Sequence, residues 1–134
     1  MSQAHELVRR ALRGDRAEGV HWQRLMAAMR EVAAGAEAGS PADAAIAGGL
    51  PEESVAVLHS VLEFRGRVAI AEGSELPHAM PPEEMLRAHA VQALARADLE
   101  RHRAAIQRVA DAPDSSERLA GIARWVLRWS KVEG

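Results

Sequence analysis

The chain has 134 residues, 17 Lys+Arg against 19 Asp+Glu, and a formal net charge of −2. Without Cys or Asn it can carry no disulfide, no Cys-ligated metal centre and no N-linked glycan. No apolar run approaches the ~18 residues of a membrane span. A near-neutral chain also has no global field with which to hold nucleic acid or an anionic membrane.

In chain order, the spacing predicts a first helix over about Ala4 to Arg13, with Leu7, Val8, Ala11 and Leu12 on one face and a turn at Gly14-Asp15. A second helix is expected from about Ala17 to Ala38. Its stripe is Trp22, Leu25, Met29, Val32 and Ala36, and Gly39-Ser40-Pro41 stops it. A short helix is expected from Pro41 to Ile46. The break at Gly48-Gly49-Leu50-Pro51 precedes a third main helix, read as continuing to about Glu72.

That third helix carries two apolar seams. One is Val55, Leu58, Leu62 and Ala69; the other is Val57, Val61, Phe64, Val68 and Ala71. It should therefore be the most buried helix, with Gly66 inside it and an i,i+4 pair between Glu63 and Arg67. A proline-rich loop from Gly73 to Pro82 follows.

The fourth helix is expected to run from Pro82 to Ala112, about 45 Å at 1.5 Å per residue. Met85, Ala88, Gln92, Ala95, Leu99, His102, Ile106 and Val109 keep a heptad-like seam along it. Pro113 closes it. Asp114-Ser115-Ser116-Glu117 reads as a capping box with Asp114 as the cap. The last helix, about Ser115 to Lys131, is apolar over more than half its circumference.

Strand formers are scarce: Tyr and Thr are absent, Phe occurs once, and Ala fills 28 positions. The class is therefore all-α, as an antiparallel bundle of about four main helices plus one or two short ones, in a single domain over 1–134. The Ala and Arg excess with a single Lys is associated with GC-rich bacterial genomes. The start of the chain, Met1-Ser2-Gln3-Ala4-His5-Glu6, lacks the apolar stretch of a secretory signal, which leads to the expectation of a cytoplasmic protein.

No nucleophile elbow, phosphate-binding glycine loop or His-Glu-x-x-His occurs. The pairs Glu52-Glu53 and Glu83-Glu84 stand at helix starts, where they favour the dipole. His102 falls on the long seam, where a buried imidazole needs hydrogen-bond partners. Trp125 and Trp129 share a face at i,i+4, rimmed by Arg124 and Arg128, and aromatic and Arg side chains are favoured at binding hot spots.

The leading expectation is a non-enzymatic helical interaction module that uses Trp125, Trp129, Arg124 and Arg128 to bind a protein partner or a second copy of itself, without a cofactor. The alternative is a metal- or ligand-binding bundle, with or without enzymatic activity, holding a transition metal through His59, Glu63, His89 and His102. His89 and His102, 13 residues apart on one helix, would not share an ion within one chain. A third reading, a small nucleic-acid accessory protein, is weakened by the shortage of stacking aromatics.

Overall fold

A computed structural model describes residues 3–13, 19–34, 50–68, 70–71 and 80–128. Five helices make up most of this: α1 (Gln3–Arg13), α2 (Trp22–Ala34), α3 (Glu52–Glu63), α4 (Pro82–Asp111) and α5 (Glu117–Leu127). Among the described residues there is no strand, and one isolated parallel bridge joins Val20 to Ile70. The protein is all-α. The expected short helix at 41–46, the turn at 14–15 and most of the loop from Gly73 lie outside the described residues.

α4 is the hub, packing against α5, α3 and α2, while α1 closes on α2 and α3. One cluster of buried side chains runs through all five helices, from Val8 through Leu25, Leu58 and Leu94 to Leu119. The stripe expected on α2 is buried through Trp22, Leu25, Met29 and Val32. On α3 both seams are buried as far as the helix goes: Val55, Leu58 and Leu62, and Val57 and Val61.

The helix boundaries differ from expectation at four points, each for an identifiable physical reason. α2 starts at Trp22 rather than near Ala17, because Gly19–His21 are held outside the helix. Ala71 N–H donates to Val20 O at 2.8 Å. A Cβ on Gly19 would lie 3.0 Å from Ala71 Cα and N, so this backbone crossing leaves little room for a side chain at position 19.

α3 ends at Glu63, nine residues short of Glu72. Phe64 takes an extended conformation, and Arg65 turns back so that its Nη1 donates to Leu62 O (2.8 Å) and Phe64 O (2.9 Å). A cation on the last carbonyls of a helix is favourable both as a donor and against the dipole. Gly66 is thus in a bend outside the helix, and the expected Glu63–Arg67 helical pair has no helix to stand on.

α4 is not one straight rod. Asp98 has φ −169° and ψ 87°, so the helix breaks into arms of 82–97 and 99–111. The Asp98 carboxylate then accepts the Arg101 N–H at 3.2 Å, capping the second arm as an N-cap residue does. At the other end of the connection, Ser116 rather than Asp114 caps α5, accepting Leu119 N–H at 3.2 Å. Asp114 is engaged instead with Arg65 Nε at 2.8 Å.

Candidate functional site

Two places gather the residues singled out by sequence. The first is the outer face of α5. Its buried positions, Leu119, Ala120, Ala123, Val126 and Leu127, subtend a single arc at 100° per residue. Trp125 stands about 160° from the middle of that arc, on the opposite side of the helix. It is 51% exposed, and among the described residues it is the large hydrophobic side chain that stands out of the surface. The apolar breadth of this helix is therefore two features, a core stripe and a separate outer indole.

Around Trp125 the face is built from Ile122, half-buried, and from Gly121, where an added Cβ would meet nothing within 4 Å. Gly121 and Trp125 are one turn apart, so the indole borders a shallow stretch of bare backbone, a feature the sequence reading did not single out. Arg124 and Arg128 are both exposed beside it. The helix end is served from another element: Arg103 of α4 donates from Nη1 to Leu127 O at 3.5 Å. Trp129 lies outside the described residues.

The second place is between α3 and the second arm of α4. His59 Nε2 and His102 Nδ1 are 3.0 Å apart in a hydrogen bond, with ring centroids 5.0 Å apart. His102 is buried, and its partner is an imidazole 43 residues away in sequence. One ring must donate and the other accept, so the pair is satisfied when neutral or singly protonated and is broken when both rings carry two N–H groups. Burial pushes the His102 pKa down, helped by His59 and Arg101 and opposed by Asp98 and Glu52.

Arg101, next to His102, makes a two-pronged ion pair with Glu52, Nη1 to Oε1 and Nη2 to Oε2, both 2.9 Å. The expected role of Glu52 at the helix start is thus joined by a cross-helix clamp that sequence did not specify. Beyond the imidazoles, His59, Glu63, Arg65 and Arg108 line a cavity of about 90 Å³.

Of the four expected metal ligands, the structure brings His59 and His102 into contact and puts Glu63 on the same cavity as His59. His89 stands on the first arm of α4, its pKa lowered by burial, with Arg30 and Arg96 nearby adding to the shift. Among the described residues no group of three or more His, Asp or Glu converges as a metal cage would require. Nor does any helix among them have the length and apolarity to cross a membrane. No protein family, curated protein or solved structure matches the chain.

Proposed function

We propose that this protein is a non-enzymatic, cytoplasmic helical interaction module whose α5 presents Trp125 to a second copy of the chain. The observation that carries the reading is the exposed indole placed opposite the core stripe of its own helix. An aromatic on that side of the helix points away from the core stripe, which supports a flat partner face as its cover. Gly121 supplies the close approach, Ile122 adds apolar area, and Arg124 and Arg128 form a rim that reaches carboxylates on the other copy. A two-fold contact would bring the same indole from both copies to one patch.

Sedimentation of the full chain tests this. The expected result is a concentration-dependent dimer that Trp125→Ala weakens by about 2 kcal/mol or more, roughly thirtyfold in Kd. A monomer at high concentration, with the same sedimentation in both proteins, would overturn it.

The His59–His102 contact supports a second reading, a bundle that binds a transition metal through these two nitrogens with Glu63 close by. Elemental analysis of untagged protein distinguishes the two readings. Absence of stoichiometric metal, with a melting temperature unmoved by Zn²⁺, counts against this one.

A further inference from the structure

On a helix, Glu83 and Glu84 stand one turn before Arg87, the order and spacing at which a carboxylate neutralises a guanidinium. In this protein each of these carboxylates has one oxygen taken by a backbone N–H of another segment. Glu83 Oε2 accepts the Val68 N–H at 2.9 Å, and Glu84 Oε2 accepts the Ser116 N–H at 2.9 Å. Asp114, the remaining acid of the neighbourhood, pairs with Arg65 Nε at 2.8 Å. Arg87 itself is buried, with 7% exposure, and its Nε has no hydrogen-bond partner.

The side chain lines a pocket of about 490 Å³ at the start of α4, together with Arg65, Arg67 and the carboxylates Glu83, Glu84 and Asp114. Burial lowers the Arg87 pKa; the nearby Arg65 charge adds to this, and Asp114, Glu84 and Glu83 oppose it. Guanidiniums and carboxylates balance by count around this pocket, but Glu83 and Glu84 each have an oxygen on a backbone N–H, Asp114 is paired with Arg65, and a buried Arg87 donor is left over.

We propose that this pocket binds a small oxyanion, a phosphate or carboxylate group, anchored by the Arg87 guanidinium with Arg67 at the rim. A planar guanidinium matches the paired oxygens of either group, and a buried guanidinium on the pocket wall with an unsatisfied N–H keeps hydrogen-bonding capacity that such a ligand would engage. The pocket also opens at the N-terminal end of α4, where the helix field favours negative charge.

The test is NMR of the ¹⁵N-labelled full chain, titrated at constant ionic strength with inorganic phosphate and, separately, with acetate. The expected result is a saturable shift of the Arg87 Nε–H resonance and of the Gly66 and Arg67 amides with at least one of the ions. Saturation by phosphate alone assigns a phosphate ligand, and by acetate alone a carboxylate. Arg87→Lys, which keeps the charge and loses the fork, should weaken binding by about tenfold or more. Arg67→Ala, a change at an exposed side chain, should weaken it about threefold or more. No saturable shift with either ion at about 50 mM overturns the proposal. So does unchanged affinity in Arg67→Ala with shifts that map away from the pocket, a result that stands even if Arg87→Lys does not fold.

Discussion

Burial of two imidazoles on α4, His89 and His102, makes stability depend on pH. His102 and His89 both have pKa values lowered from the usual imidazole value, about 6.5, chiefly by burial. The unfolded chain therefore binds more protons than the folded one just below that value. Stability is fully present above pH about 6.5 and falls as pH drops through it, flattening once the folded rings also protonate. The unfolding midpoint in urea should thus be lower at pH about 5.5 than at about 7.5. The Glu52 and Glu100 carboxylates, held low by hydrogen bonds from Arg101 and Arg103, lose their contribution only at still lower pH. Equal midpoints at the two pH values would mean that neither ring is held neutral by its surroundings. That His102 is buried and partnered was legible from its place on the seam; that the partner is His59 was not, because the contact joins two different helices.

Among the helices, α4 carries the clearest departure from periodicity. Its apolar spacing continues through Asp98, so a reading of 3.6-residue repeats sees one helix, while the backbone extends there and restarts. The carboxylate that interrupts the first arm is also the cap of the second. Asp98→Ala removes that acceptor and should cost about 1 kcal/mol, measured by urea denaturation. A variant as stable as the parent would show that water serves the Arg101 N–H equally well. The early end of α3 has the same character. Val68 is apolar and in phase with the seam, yet it is buried outside the helix, where its N–H is taken by Glu83 of α4. Periodicity records which side chains want cover, and it is indifferent to whether helix or irregular chain delivers them.

Across the molecule, the buried cluster centres on the hub helix, and the exposed indole lies outside it. Leu94, fully buried on α4, should cost about 2–5 kcal/mol when replaced by alanine, since the cavity it leaves is enclosed by packed helices. Trp125→Ala should change monomer stability far less, by about 0.5 kcal/mol, while altering association. Denaturation measured at low protein concentration checks both. A large loss for Trp125→Ala there would mean that the indole serves the fold rather than a partner.

The all-α class, the core stripes of α2 and α3 and the proline-marked start and stop of α4 are written in near-neighbour chemistry. Helix propensity and 3.6-residue spacing act over a few residues and can be read along the chain. Which groups meet across the molecule is a different kind of information. His5 with Ser54 and Glu52 with Arg101 are each 49 residues apart, and Glu84 holds Ser116 from 32 residues away. Those pairings, the side of α5 on which Trp125 emerges and the unsatisfied donor of Arg87 depend on how the helices cross and where they stop. Such outcomes follow from competition among many weak contacts at once, and no local stretch of residues contains them.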